Sequence, residues 1–173
     1  MIRIVSAAVA LACLTTPAAA EVVERSADHF VLRYESITEG PMEDLPGVVG
    51  DLPRWWDPAH TYSGKADNLS ISPAVGACFC ERLDDGSVFE HGRVQAWDAG
   101  TGVLLHAALG PLNGKTTQAD WSIGWTGGQP GVRVVMTYVV RGDGLEAYAD
   151  AVDGVMQTQF DRMIRYLEYG EPA

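Results

Sequence analysis

Four histidines and one close pair of cysteines are the side chains here whose types could do chemistry: His29, His60, His91 and His106, with Cys78 and Cys80 in a C-x-C pair. The histidines are scattered, and each reads more readily as a surface or satisfied strand histidine than as an acid–base catalyst. His91 and His106 fall on neighbouring hairpin strands, so with Cys78 and Cys80 they could build a soft metal site. A C-x-C pair alone supplies too few ligands, and the balance is against a metal. In a strand the two cysteine Cα atoms sit about 6.6 Å apart, near the upper limit for a bridge. Two free thiols is the leading reading, with a strained Cys78–Cys80 disulfide and metal binding as the alternatives. There is no G-x-S-x-G and no Cys beside a His, so no nucleophile motif. H-E-x-x-H, P-loop and G-x-G-x-x-G are missing too, and no cofactor is expected.

The aromatic residues carry more information. Trp55, Trp56, Phe79, Trp97, Trp121, Trp125 and Tyr138 are a heavy load for one small domain. They either fill a core or line an apolar cavity with a few polar groups, as ligand sites do. Met136, Met156 and Phe160 join them as candidate cavity residues. Glu81, Glu90, Arg93 and Arg133 are strand charges that either enter such a cavity or sit on a solvated sheet face.

The elements that must position these residues begin with the C-terminal stretch. From Gly144 to Tyr169, apolar residues recur every three or four positions, from Leu145 through Val152, Met156, Phe160 and Met163 to Leu167. That spacing predicts one long helix with a wide apolar stripe. Asp150, Asp153, Gln157, Asp161, Arg165 and Glu168 take its other side, and Asp143 is a candidate N-cap. The stripe needs a partner, and the preceding strands are the candidate. His29–Ile37 alternates as a first strand after a polar leader, Glu21–Asp28. Thr38–Trp56 reads as one or two short helices, broken at Pro46-Gly47. Leu69–Ser72, Ala77–Leu83, Val88–Trp97, Val103–Leu109, Thr117–Thr126 and Val132–Val140 then form a meander with turn signals between them. Trp121, Ile123 and Trp125 share one strand face, and Val134, Met136 and Tyr138 another; both sets are expected to face the helix. Of the adjacent Trp55 and Trp56, one should pack under the sheet and the other line a mouth.

Residues 1–20 read as a secretory signal peptide: Arg3, an apolar Ile4–Leu14 core, and Ala18-Ala19-Ala20 before Glu21. Lipidation at Cys13 is the rival. Residues 21–173 then form a single domain, exported to the periplasm or beyond the cell. No stretch is long enough for stable membrane insertion. The net charge of −11 becomes −12 when Arg3 is removed. That much negative charge argues against nucleic acid as a partner.

Three local stretches, Arg54-Trp55-Trp56-Asp57-Pro58-Ala59-His60-Thr61-Tyr62-Ser63, Gly76-Ala77-Cys78-Phe79-Cys80-Glu81 and Leu109-Gly110-Pro111-Leu112, resemble bacterial polyketide-cyclase-like members of the START-like, or SRPBCC, superfamily. The order of elements across Phe30–Leu167 resembles its helix-grip fold. The resemblance implies an α+β domain: a curved antiparallel sheet of six to seven strands around the C-terminal helix, with a cavity between them. It carries over no catalytic residue, because the superfamily mixes carriers, cyclases and regulators. A carrier or sensor of a small hydrophobic molecule leads. A cyclase- or hydratase-type enzyme using a cavity acid or base is the alternative, and a protein-interaction module, with no partner specified, is the third reading. A buried Glu–Arg or Glu–His pair in the cavity would favour the enzyme; an apolar cavity with one polar end would favour the carrier.

Overall fold

The structure is a computed structural model and describes residues 21–172. The expected signal peptide and Cys13 lie outside the described residues. Eight strands form one antiparallel sheet: β1 Glu21–Arg25, β2 His29–Thr38, β3 Leu69–Ser70, β4 Cys78–Arg82, β5 Val88–Asp98, β6 Gly102–Ala107, β7 Gln118–Gly127 and β8 Val132–Arg141. Their order is β1-β2-β8-β7-β6-β5-β4-β3. The strand beyond the expected six to seven is β1, in the stretch read as a polar leader. It hairpins onto β2 through Ser26–Asp28, and Arg25 pairs with Asp150 on the C-terminal helix.

Two short helices, α1 Leu45–Gly50 and α2 Leu52–Trp55, follow β2. Two helices form as expected, but the chain breaks at Asp51 and not at Pro46-Gly47, which lie inside α1. Pro46 and Pro53 each sit in a first turn, where a missing N–H costs nothing. The long helix α3 runs Ala149–Tyr169 and ends at Gly170, whose left-handed φ of 73° returns its N–H to the Tyr166 carbonyl. It starts later than expected. Gly142 and Gly144 both have positive φ, so the chain turns there, and a 3-10 turn at Glu146–Tyr148 leads into the helix. Asp143 therefore does not cap it.

Alternation along the central strands decides the core. Leu105, Trp121, Tyr138 and Leu32 lie opposite one another across β6, β7, β8 and β2, and the next inward row is Val103, Ile123, Met136 and Tyr34. All eight are buried. Tyr34 stacks on Phe160 of α3 at 5.9 Å and donates its hydroxyl to Asp153 at 2.8 Å. The expected Trp121 and Met136 faces therefore turn inward. Bulges near Phe79/Cys80 and Val94/Ala96 bend β4 and β5. At the first of these the Cys78 and Cys80 Cα atoms stand 5.3 Å apart, and the two cysteines are joined by a disulfide. An unbulged strand would hold them about 6.6 Å apart, near the upper limit for a bridge; the bulge brings them within easy reach, so the alternative of a disulfide and not of free thiols holds.

Candidate ligand-binding cavity

α3 packs chiefly on β1, β2, α1 and α2. Towards the other edge of the sheet, where β4 and β5 bend, a cavity of about 480 Å³ opens between β4–β5, the first half of α3 and two loops. Ala151, Val152, Val155 and Met156 supply the helix wall, Phe79 and Leu69 the sheet wall, and Leu109, Gly110 and Pro111 one rim. Trp56, His60, Thr61 and Tyr62 form the other rim, and His91 stands in the wall. All three stretches that resemble the START-like proteins converge on this space.

Each rim is tied to the core. Trp55 is fully buried and donates its indole N–H to the Val48 carbonyl at 2.6 Å; Trp56 stands on Phe79 and Trp121 edge-on. The loop after Trp56 is fixed by Gln159 of α3, whose Oε1 accepts from the Asp57 N–H at 2.8 Å. Asp57 in turn accepts from the Ala59 N–H at 2.9 Å and caps the 3-10 turn Pro58–His60. The opposite rim is held by Tyr138, which donates to the Ala107 carbonyl at 2.7 Å and accepts from the Leu109 N–H at 3.1 Å. Burial pushes the Tyr138 phenol well above its ordinary value, so it stays a neutral tie.

Of the ten residues expected around a ligand, Trp56, Phe79 and Met156 border the cavity. Trp55, Trp121, Trp125, Met136, Tyr138 and Phe160 are buried in the packed core beneath it, and Trp97 packs partly buried against that core. None of these seven contributes to the cavity wall. Tyr138 acts on the site through Leu109 instead. Gln159, Leu69, Leu109, Ala151 and Val155 are wall or rim-positioning residues that aromatic content alone does not pick out.

The polar end is a buried cluster. Glu81 is 0% exposed and His91 7%. His91 Nε2 lies 2.8 Å from Glu81 Oε2, which also accepts from the Tyr62 N–H at 3.1 Å, while Oε1 accepts from the Ser63 N–H at 2.5 Å. Burial pushes the Glu81 carboxyl up, but the hydrogen bonds from Ser63, Tyr62 and His91 outweigh it, and the group sits below the usual carboxylate value. Glu81 is thus an anion, and an anion accepts, so Nε2 carries the imidazole proton. Burial holds His91 below its ordinary value, against the pull of Glu81. Its ring stacks between Phe79 at 4.9 Å and Tyr62 at 5.6 Å, with Phe89 edge-on at 5.0 Å. Gly92, the next residue, lets β5 close on β6: a Cβ there would collide with the His106 carbonyl and Ala107.

The other candidate groups lie elsewhere. His106 is exposed and pairs with Asp120 at 3.0 Å; it borders a second, smaller pocket together with His91. Glu90 pairs with Arg93, and Arg133 with Glu35, on exposed strand faces. Among the described residues no three His, Cys, Asp or Glu side chains converge as a metal site, and no helix is long and apolar enough to cross a membrane.

No protein-family profile matches this chain, and no curated protein does. Solved structures do. The Aha1 dimer from Colwellia psychrerythraea is 14% identical over 81% of this chain and 97% of its own, with a TM-score of 0.61. A protein of Mesorhizobium loti is 18% identical over 79% of this chain and 95% of its own, with a TM-score of 0.55. The di-domain ARO/CYC StfQ from the steffimycin biosynthetic pathway is 10% identical over 83% of this chain, with a TM-score of 0.57. This chain spans about half of that protein, 52% of its length. At such identities the likeness speaks for the fold alone: the chain has the START-like helix-grip fold, of the kind found in polyketide-cyclase-like and Aha1-like proteins.

Proposed function

We propose that the protein is an exported carrier or sensor that takes a small hydrophobic molecule into the cavity between β4–β5 and α3. The observation that carries this reading is the cavity itself: about 480 Å³, walled by aliphatic and aromatic side chains, with its polar groups gathered at one end. That size and lining suit a small-molecule site. The Cys78–Cys80 disulfide is in keeping with an oxidising compartment outside the cytoplasm.

A cyclase- or hydratase-type enzyme is the second reading, favoured by the buried Glu81–His91 pair. The binding reading leads because Glu81 spends its oxygens on Tyr62, Ser63 and His91 and is not part of the cavity wall. Two imidazoles, His91 in the wall and His60 on the rim, border the ligand space, and the enzyme reading would use one of them as its general acid or base. Native mass spectrometry of gently purified protein should reveal a co-purified small molecule, and an added hydrophobic dye should bind. Failure of both would remove the reading. Turnover of the co-purified compound would replace it with the enzyme.

A further inference from the structure

His91 presents one unused polar atom. Its Nε2 is committed to Glu81, and its Nδ1 is buried with no hydrogen-bond partner among the described residues. A buried acceptor without a donor leaves its lost hydration uncompensated, yet the surroundings hold this atom in the acceptor state. The Glu81 anion fixes the proton on Nε2, and the Tyr62 and Ser63 N–H groups fix Glu81 in turn. Phe79, Tyr62 and Phe89 hold the ring in place. A side chain needed only for packing could be phenylalanine here.

We infer that His91 Nδ1 is the recognition point of the cavity, accepting a hydrogen bond from a hydroxyl group on an otherwise apolar ligand, with Glu81 as the positioning residue that sets the tautomer. This rests on the hydrophobic-ligand reading above and narrows it to molecules with an apolar body and one hydrogen-bond donor. Acidic ligands are disfavoured, because a carboxylate would meet a lone pair with the Glu81 charge behind it. Tyr62 is the yielding part of the wall. It is 52% exposed, it stacks over His91, and its hydroxyl crosses the mouth to the Gly110 carbonyl at 3.1 Å. Turning that ring aside opens the imidazole to the ligand while the Tyr62 backbone stays bound to Glu81.

Naphthol and its methyl ether test the inference, because they share the ring body and differ in the donor. Wild-type protein should bind naphthol about ten-fold more tightly, ~1.4 kcal/mol, the value of one good hydrogen bond. His91→Phe should lose the preference and bind naphthol and its ether equally. Nitrogen NMR of wild-type protein gives a readout that does not need the variant to fold: Nδ1 should be unprotonated, and its resonance should move with naphthol but not with the ether. Equal binding of the two probes, a preference that survives in folded His91→Phe, or an unmoved Nδ1 resonance overturns the role of His91 and leaves the apolar cavity standing. If neither probe binds, the ligand-binding reading itself fails, and this inference with it.

Discussion

At the residue scale, the buried Glu81–His91 pair ties β4 to β5 and sets how the fold responds to acid. Period-two alternation puts Glu81 on the face of Phe79, but alternation cannot say which face is inside. The structure does: Phe79 and Glu81 both point inward. The pair makes acid stability predictable. Folding holds His91 below its ordinary 6.5, so as pH falls below 6.5 the unfolded chain binds the proton first and stability drops through the window down to the folded value. Glu81 lies below its ordinary 4.5, so its contribution is present above 4.5 and is lost as pH falls further, through its own folded value. Both signs agree, and acid weakens the fold in two steps. The His91 ring signals should titrate below 6.5 by proton NMR, and denaturant melts should show stability declining from 6.5 downward. A His91 that titrates above 6.5 would reverse the first step and contradict the burial argument.

At the scale of elements, the helix, the meander and the split helical pair were legible because each rests on local periodicity or on proline. β1 was not, since Glu21–Asp28 has little apolar content and its strand depends on β2 and on Arg25–Asp150, contacts remote in sequence. The start of α3 was misplaced by one turn because positive-φ glycines cannot be told from ordinary ones by composition. The two faces of α3 lead to a paired prediction. Met156 is buried at 1% exposure against the cavity, so Met156→Asp should cost several kcal/mol, roughly 3–5, by burying a carboxylate without a partner. Spacing alone places Asp153 on the polar side of the helix. It accepts the hydroxyl of the buried Tyr34, so Asp153→Ala should cost about 1 kcal/mol, softened because the Asp153 carbonyl, 3.1 Å from the same hydroxyl, remains. Denaturant melts of the two variants check both values, and a neutral Met156→Asp would mean that the apolar stripe faces solvent.

For the whole molecule, the chain's destination and its cavity lead to separate tests. The small residues Ala18-Ala19-Ala20 predict a mature N-terminus at Glu21. N-terminal sequencing of exported protein should read Glu21-Val22-Val23, and an acylated Cys13 would replace this with a lipid anchor.

The cavity's position was the least legible feature, because it depends on where a curved sheet parts from its helix. Sequence patterning puts Trp121, Trp125, Met136 and Tyr138 on the inward face and offers Met136 as a cavity residue. Met136 is 0% exposed in the solid part of the core, paired with Ile123 and Tyr34 on the adjacent strands. A tryptophan there should overpack the core at a typical cost of about 1–3 kcal/mol and leave the cavity open. The filling position is Val155, a half-buried residue of α3 that borders the cavity. Val155→Trp should occupy the space at a stability cost under about 1 kcal/mol, because the indole enters existing room rather than displacing neighbours. A hydrophobic dye should bind wild-type protein with micromolar affinity, about −8 kcal/mol, and Trp56 at the rim gives the fluorescence change. Binding should be lost in Val155→Trp and retained in Met136→Trp, while melts rank the two variants in the opposite order. If Met136→Trp abolishes binding without loss of stability, the ligand space runs deeper under the sheet than the wall described here. If Val155→Trp still binds the dye, the cavity beside α3 is not where the ligand goes.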